Sequence, residues 1–295
     1  MATSRAAAPA HGLALVPAFF GLVRFAHTVF ALPFALAGAL LAEMAVPPAA
    51  TLGWILLAMV GARSLAMALN RLIDARIDAR NPRTARRELP AGRLSTAQVA
   101  VFCALSLAAL LVAVSQLPSI TWYLWPIPVA AFVAYPYTKR FTWACHLVLG
   151  CTIGIAPVGA WIAVTGSFAL APILLGVAVA CWIAGFDVIY ALLDVDFDRA
   201  NGIHSAPARF GPRGALWMTR SLHLAAIGLL AGTGVAAGAG AIYQAGVAVC
   251  AAVLAYENAI VAGGDQRRVQ AAFGNANMVL SMTYLAFVLA EVVLT

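Results

Sequence analysis

The chain has 295 residues, of which 63% are hydrophobic and only 10% are charged. A soluble domain of this size does not have that balance, whereas a protein with several membrane-spanning helices does. The formal net charge of +7 comes from basic residues grouped near the ends of apolar segments. It therefore indicates orientation in a membrane and not a nucleic-acid-binding surface.

Apolar segments recur along the whole chain, and each approaches or exceeds the roughly 20 residues that cross about 30 Å of hydrocarbon. No linker long enough to separate domains interrupts them. The sequence therefore predicts one all-α integral membrane domain over residues 1–295, with residues 1–20 flexible or lying at the membrane interface. The nine predicted spans are 24–43, 52–73, 96–115, 119–135, 144–166, 169–195, 214–232, 240–261 and 275–293.

The basic residues fall on one side of this predicted bundle. All eighteen lysines and arginines except Arg63 belong to the N-terminus, to the loops after the even-numbered spans, or to helix ends beside those loops. Cytoplasmic loops carry the excess of Lys and Arg in membrane proteins. We therefore expect a cytoplasmic N-terminus and, with nine spans, a C-terminus on the outer side.

Six of the eleven acidic residues fall in two short segments at predicted cytoplasmic helix ends. In the first segment, Asp74 and Asp78 are four residues apart and share a helix face, and Asn70 extends the row by one turn. Arg63 lies on the same stripe, deeper in the membrane, whereas Arg71 is predicted to point elsewhere. Carboxylates near a bilayer are costly, so this row indicates a functional site.

The second acidic segment follows at the end of the sixth predicted span. Asp187, Tyr190, Asp194 and Asp198 are spaced by three or four residues, so a continuing helix would place them on one face. Asp196 faces away from that row and is expected to meet solvent. At about 1.5 Å per residue, Asp187 is predicted to lie about 10 Å deeper than Asp194.

Together the two rows offer carboxylate and amide oxygens, the ligands that Mg²⁺ prefers, and Mg²⁺ commonly completes its shell with ligand phosphates. Two alternatives stay open: loop salt bridges between these aspartates and nearby arginines, and the transport site of a divalent-cation transporter. The scarcity of acidic residues in the outer half of the predicted bundle favours a one-sided enzyme site over a transporter. The basic residues expected to meet phosphate are Arg83, Arg86, Arg87, Lys139, Arg140 and His204.

These segments closely resemble the two signatures of the UbiA-type aromatic prenyltransferase superfamily, and the resemblance runs from about residue 20 to the C-terminal end. The first signature, Asn-Asp-x-x-Asp-x-x-x-Asp, is matched by Asn70, Asp74 and Asp78, with Arg71 in place of the first Asp. In the second, His204 stands in place of a Lys. The second signature is otherwise matched by Asp187, Tyr190, Ala191, Asp194, Asp198, Gly202 and Ser205, and flanking matches are Arg87, Leu89, Pro90, Gly92 and residues 135–142.

The resemblance implies nine transmembrane helices around a central cavity that opens laterally to lipid. It implies Mg²⁺-dependent transfer of a polyprenyl group from polyprenyl diphosphate to a small hydroxylated aromatic carboxylate. The chain resembles the branch that uses 4-hydroxybenzoate or dihydroxynaphthoate, in ubiquinone or menaquinone biosynthesis, and prenylation of another acceptor stays open as an alternative. We therefore expect an enzyme integral to a prokaryotic inner membrane, with its active site on the cytoplasmic side. No pattern in the sequence indicates the prenyl chain length or the oligomeric state.

The same resemblance assigns roles to individual residues. Asp187 is expected to take the phenolic proton of the acceptor, Lys139 to stabilise the departing diphosphate, and Arg140 or Arg63 to meet the acceptor carboxylate. The expected magnesium ligands are Asn70, Asp74, Asp78, Asp194 and Asp198. The expected substrate-binding residues are Arg63, Arg83, Arg87, Tyr135, Tyr190 and His204.

Overall fold

Helices form all the regular structure of residues 15–23, 28–261 and 276–295, which a computed structural model of the chain describes, and these ranges contain no β-strand. A single 3₁₀ turn, Leu192–Asp194, separates two of the helices. The helices are α1 (Leu15–Leu22), α2 (Thr28–Leu41), α3 (Ala49–Arg80), α4 (Thr96–Ser115), α5 (Ser119–Leu124), α6 (Pro126–Thr138), α7 (Cys145–Thr165), α8 (Leu170–Ala191), α9 (Val195–Asn201), α10 (Ala206–Ala237), α11 (Ala241–Val261) and α12 (Asn277–Leu294).

Each of the nine predicted spans overlaps helix in the described residues, so the all-helical prediction is confirmed. Seven helical segments of those residues are long and apolar enough to cross a membrane, namely α3, α4, α7, α8 with α9, α10, α11 and α12. The first predicted span corresponds to α2, which has 14 residues. The fourth is divided into α5 and α6 at Pro126, whose ring favours the first turn of a new helix. Nine crossings therefore stay a prediction.

The predicted sidedness also stays a prediction. Part of the charge pattern behind it, Arg5, Arg24, Arg267 and Arg268, lies outside the described residues. The described basic residues of the loop 81–94 lie near the cytoplasmic ends expected for α3 and α4. The residues predicted to be flexible or interfacial, 1–20, are described only from position 15 onwards, where α1 begins.

Helix α8 lies at the centre of the bundle and is the most deeply buried of the spans. Its Trp182 packs against Phe34 of α2 with ring centroids 4.9 Å apart, and Phe34 in turn stacks on Tyr284 of α12 at 4.8 Å. These rings belong to one core that also draws on α10 and α11. Central burial of α8 means that an acidic residue near its end has protein, and not lipid, around it.

Helices α7 and α8 approach each other unusually closely. A side chain on Gly150 would collide with the carbonyl oxygen of Ala180, and one on Gly154 with that of Gly176. Only glycine at these positions permits the contact, a pattern common between membrane helices. Because the two helices run antiparallel, this register brings the first turn of α7 beside the last turns of α8.

One acidic residue of the predicted outer half has a structural role. Glu291 of α12 is 2% exposed and accepts hydrogen bonds from the backbone N–H groups of Gly240, at 2.5 Å, and Tyr243, at 2.9 Å. These donors lie at the start of α11, where N–H groups lack partners within the helix. A carboxylate there also interacts favourably with the helix dipole. The contact fastens α12 to α11.

Candidate active site

A polar cavity of about 230 Å³ lies between the two acidic segments. It collects residues from α3, the loop after α3, the end of α6, the start of α7 and the chain from α8 to α10. All five predicted magnesium ligands and Asp187 line it. The lining residues predicted from the sequence are Asn70, Asp74, Asp78, Arg83, Arg87, Tyr135, Lys139, Asp187, Tyr190, Asp194, Asp198 and His204.

The first acidic row lies on α3 as the helical spacing predicts. The side-chain amide of Asn70 donates to Asp74 Oδ2 at 3.0 Å, and Asp74 and Asp78 are 1% and 5% exposed. Arg71 also lines the cavity, and its Nη1 lies 3.8 Å from Asp78 Oδ2. The expectation that Arg71 points elsewhere is therefore wrong. Its cation lies beside the carboxylates because the cavity wraps around more than one face of α3.

The second acidic row does not lie on one continuous helix. Helix α8 ends at Ala191, and the chain passes through the 3₁₀ turn before α9 begins at Val195. Asp194 leaves the helical conformation, with φ −115° and ψ 5°. Asp187, Asp194 and Asp198 still line the same cavity, so the predicted grouping holds although the predicted straight helix is wrong. Asp196 is exposed, as expected.

Three carboxylates of the cavity each bind a basic side chain from another element. Lys139 Nζ donates to Asp74 Oδ2 at 2.6 Å, and Arg87 Nη1 donates to both oxygens of Asp78 at 2.7 and 2.8 Å. Arg83 binds Asp194 through both Nε, at 2.8 Å, and Nη2. The alternative of salt bridges therefore describes real contacts. These pairs converge on one cavity, however, and do not scatter over exposed loops.

Arg83 is the most extensively bound of these basic residues. Besides Asp194, it donates from Nη1 to the hydroxyl of Tyr190 at 2.6 Å, and its guanidinium lies 4.7 Å from the centre of that ring. Burial alone would lower the pKa of Arg83, but the hydrogen bond to Asp194 and the nearby Tyr190 oxygen raise it above its usual value. Arg83 thus stays charged beside the second acidic segment.

Asn81 joins the two acidic segments, and no pattern in the sequence predicted it as a residue of the site. Its amide donates to Asp194 Oδ1 at 2.9 Å, and its Oδ1 accepts the backbone N–H of Arg83 at 2.9 Å. Nearby, Thr84 Oγ1 donates to the carbonyl oxygen of Asp78 at 2.9 Å. A polar residue immediately after α3 is the only local signal, and it does not specify a partner 113 positions away.

Of the other basic residues expected to meet phosphate, some line the polar cavity and others lie outside it. Arg140 donates to the carbonyl oxygen of Ile73 at 2.8 Å and lies over the ring of Tyr137, and it is absent from the cavity lining. Its Nη2 lies 3.5 Å from Asp74 Oδ1. His204 lines the cavity, and its backbone N–H donates to the carbonyl of Lys139 at 2.7 Å. Arg86, also expected to meet phosphate, is exposed and outside the cavity lining.

Asp187 has a partner that sequence reasoning missed. Nδ1 of His146, in the first turn of α7, lies 2.7 Å from Asp187 Oδ2. His146 is 4% exposed, and 27% of the Asp187 side chain remains accessible. No spacing rule connects two residues that are 41 positions apart, and only the close packing of α7 on α8 reveals the pair.

The carboxylate and amide oxygens of the polar cavity are of the type that binds Mg²⁺, but in this structure the carboxylates form ion pairs with basic side chains. Among the described residues, no three His, Cys, Asp or Glu side chains are grouped closely enough to hold a metal ion together. The oxygens of Asp74, Asp78 and Asp194 instead face Lys139, Arg87 and Arg83. Hard oxygen donors on both sides of one cavity match the preference of Mg²⁺. Holding the ion would require these basic groups to turn away.

A second, apolar cavity of about 540 Å³ adjoins the polar one, since Tyr135 and Leu149 line both. Among its lining residues, Ile127 and Ile173 are 56% and 46% exposed, so the cavity reaches the apolar exterior of the bundle. Arg63 also lines this cavity, deeper than the acidic row on α3. The predicted stripe from Arg63 to Asp78 therefore runs from the apolar cavity into the polar one.

An all-helical membrane protein with an acidic and basic cavity next to an apolar one is the expected architecture of an intramembrane prenyltransferase. Residues 31–283 match the model of the UbiA prenyltransferase family. The chain belongs to this family and is an enzyme of the prenyltransferase class. That membership favours the enzyme over the divalent-cation transporter considered from the sequence.

Individual relatives agree with this assignment. A 4-hydroxybenzoate octaprenyltransferase from Cronobacter sakazakii is 32% identical over 262 residues, which cover 83% of this chain and 87% of that protein. The apo structure of a UbiA homolog from Aeropyrum pernix K1 superposes with a TM-score of 0.82 at 35% identity, covering 90% of this chain and 98% of that one. A UbiA homolog from Archaeoglobus fulgidus, bound to DMAPP and Mg²⁺, shares the fold with a TM-score of 0.70 at 18% identity, covering 94% and 99%.

Proposed function

We propose that this enzyme transfers a polyprenyl group from polyprenyl diphosphate to the ring of 4-hydroxybenzoate. The observation that carries the proposal is the junction at Tyr135 between a cavity rich in basic and acidic groups and an apolar cavity of about 540 Å³. A diphosphate fits the first and a hydrocarbon tail the second. The name of the Cronobacter relative, 4-hydroxybenzoate octaprenyltransferase, supports the choice of acceptor.

Magnesium is part of the proposal. Asn70, Asp74, Asp78, Asp194 and Asp198 would hold it, since all five line the polar cavity. The bound ion would supply positive charge that stabilises the departing diphosphate. The Archaeoglobus structure, which is bound to DMAPP and Mg²⁺, supports this cofactor for the fold.

The diphosphate would bind the basic side chains that form ion pairs with the carboxylates in this structure. Lys139, Arg83 and Arg87 each end in donors suited to phosphate oxygens, and Arg can bind phosphate with two parallel hydrogen bonds. Positively charged donors aimed at the leaving group favour cleavage of the allylic C–O bond. His204 lines the same cavity, and would add a further donor when protonated.

The acceptor would lie where the two cavities meet. Arg63 is our choice for its carboxylate, because it lines the apolar cavity on the same stripe as Asn70, whereas Arg140 lies outside the lining of both cavities. Asp187 would accept the phenolic proton, which makes the ring more nucleophilic. As the allylic C–O bond breaks and diphosphate leaves, the ring carbon bonds to the first carbon of the prenyl group. That ring carbon then loses its proton to the departing diphosphate, and Asp187 returns the phenolic proton to the ring oxygen, so that one proton is released in total.

The prenyl tail would extend through the apolar cavity to the surrounding lipid. Exposed lining residues such as Ile127 and Ile173 mark where the cavity meets the exterior. Exclusion of water from this space would protect an allylic cation. The whole chain would act as one membrane domain in a prokaryotic inner membrane, with the polar cavity on the cytoplasmic side.

The proposal is tested by giving the purified enzyme, in lipid nanodiscs with Mg²⁺ and geranyl diphosphate, either 4-hydroxybenzoate or dihydroxynaphthoate. We expect prenylated 4-hydroxybenzoate, identified by its mass. Asp194→Asn serves as the inactive control. Prenylation of dihydroxynaphthoate alone would indicate a role in menaquinone biosynthesis instead. Absence of product with both acceptors would overturn the proposed reaction.

A further inference from the structure

His146 connects Asp187 to the start of another helix. Its Nδ1 lies 2.7 Å from Asp187 Oδ2, and its Nε2 accepts the backbone N–H of Ala206 at 3.2 Å. Ala206 is the first residue of α10, where backbone N–H groups have no partner within the helix. The imidazole therefore satisfies an otherwise unpaired donor while it contacts the carboxylate.

These two contacts define where the imidazole carries its proton. A backbone N–H only donates, so Nε2 must offer its lone pair to Ala206. A neutral imidazole has one N–H, which must then be on Nδ1 and point at Asp187. An imidazolium would instead place two N–H groups against each other at Nε2. The contact with Ala206 thus directs the Nδ1 proton of His146 towards Asp187 Oδ2.

The start of α10 also contacts a predicted metal ligand. Ser205, immediately before Ala206, donates its hydroxyl proton to Asp198 Oδ2 at 2.7 Å. The start of α10 therefore supports Asp198 through Ser205 and Asp187 through His146. Both acidic residues are placed by one anchor, although they lie on different helices.

We propose that His146 is a positioning residue that orients Asp187 to take the phenolic proton of an aromatic acceptor. This inference rests on the proposed function, because it gives Asp187 the role of base. His146 lines the polar cavity but is only 4% exposed, and in this scheme it acts on Asp187 and not on a substrate. Its effect on turnover passes entirely through Asp187, with 27% of that side chain left accessible to the cavity.

Two substitutions separate this role from simple packing. His146→Leu fills similar space but can neither donate nor accept, whereas His146→Gln retains an amide N–H donor group and a carbonyl acceptor on the same side chain. We expect His146→Leu to lower kcat by about tenfold to hundredfold, since general bases contribute about 10²–10⁴-fold, with a much smaller change in KM for the diphosphate donor. His146→Gln should recover most of the rate.

A double-mutant cycle gives the decisive result. If His146 acts only through Asp187, then His146→Leu introduced into Asp187→Asn should change kcat by less than about twofold, because the shared function is already lost. Independent, multiplying losses would overturn the proposal. So would a His146→Gln protein as slow as His146→Leu, when thermal melting shows both to be folded.

The matched control is His223→Leu, the same exchange at another buried histidine. His223 contacts Asn258 at 2.9 Å and does not line either cavity. We expect a lower melting temperature but an unchanged kcat for each folded molecule. A loss of kcat equal to that of His146→Leu would show that any buried histidine has this effect, which would contradict the proposed role.

A spectroscopic measurement distinguishes failure of this inference from failure of the proposed function. In protein labelled with ¹⁵N-histidine, the resonances lost in His146→Gln identify the ring nitrogens of His146. We expect a protonated Nδ1 and an unprotonated Nε2 near neutral pH. Protons on both nitrogens, or on Nε2 alone, would overturn the inference even if the enzyme is active. The expected pattern in an enzyme without activity would instead count against the proposed reaction.

Discussion

The side chain of Asn81 holds Asp194 and the backbone of Arg83 at the same time, through hydrogen bonds of 2.9 Å each. It thereby ties the loop after α3, with its arginines, to the turn between α8 and α9. The two acidic segments are 113 positions apart at this contact, yet one amide bridges them. This bridge therefore sets the separation of the two segments between which the proposed metal diphosphate would bind.

Asn81→Ala should lower kcat/KM for the diphosphate donor by about tenfold or more. A hydrogen bond to a charged group contributes about 1.5–3 kcal/mol, and here it orients an expected metal ligand. Asn201→Ala is the control, since Asn201 is exposed and bonds only the carbonyl oxygen of Phe197 among the described residues. Steady-state kinetics with varied donor concentration measures the effect. Equal kinetics for the two variants would show that the bridge is dispensable.

Asp74→Asn and Asp194→Asn should each lower kcat by about 10²-fold or more, because each removes charge that would hold the metal against the leaving group. Asp196→Asn provides a control from the same segment, since that side chain is exposed and outside the cavity. Prenyl transfer in nanodiscs is the measurement. If Asp74→Asn or Asp194→Asn kept near wild-type turnover, the metal assignment would be wrong. A chelator such as EDTA should likewise stop the wild-type reaction.

Mg²⁺ and pyrophosphate should bind cooperatively. Each alone must break ion pairs such as Lys139–Asp74 and Arg83–Asp194 without satisfying both partners. Together they give the carboxylates a cation and the basic groups an anion. Because ligands that bind the folded state raise its stability, thermal melting reports this directly. We expect the shift with both ligands to exceed the sum of the two separate shifts. Simple addition would argue against an exchange of partners.

Arg63→Ala should raise KM for 4-hydroxybenzoate by about tenfold, with a smaller effect on the donor, because it would remove the proposed charged hydrogen bond to the acceptor carboxylate. Arg140→Ala is the comparison, since Arg140 holds the carbonyl oxygen of Ile73 outside both cavities. Its loss should affect donor and acceptor alike. A selective rise in acceptor KM for Arg140→Ala instead of Arg63→Ala would reverse the assignment.

Glu291→Ala should destabilise the bundle without changing the chemistry. It leaves the N–H groups of Gly240 and Tyr243 without their acceptor and removes a charge favoured at the start of α11. Loss of such a cap costs about 0.5–2 kcal/mol. Thermal melting in nanodiscs should show the decrease, with Glu43→Ala, an exposed acidic residue, as the control. An unchanged melting temperature would mean that water replaces the carboxylate.

Helical periodicity was sufficient to predict the first acidic row, because Asn70, Asp74 and Asp78 lie on one uninterrupted helix. It was insufficient for the second row. The 3₁₀ turn Leu192–Asp194 interrupts the helix within this row, and a spacing rule assumes that no such break occurs. The direction of the Arg71 side chain was predicted wrongly because helical spacing assigns one stripe of α3 to the cavity, whereas the cavity contacts a wider part of that helix.

The amino-acid sequence by itself determined the membrane class, the all-helical architecture and the residues that carry charge near the ends of α3 and α8, because each depends on local composition and spacing. Tertiary packing decided which charges meet. The contacts from Asn81 to Asp194 and from His146 to Asp187 join residues 113 and 41 positions apart. Hydropathy and periodicity carry no information about partners on other helices, and only the close approach of those helices specifies them.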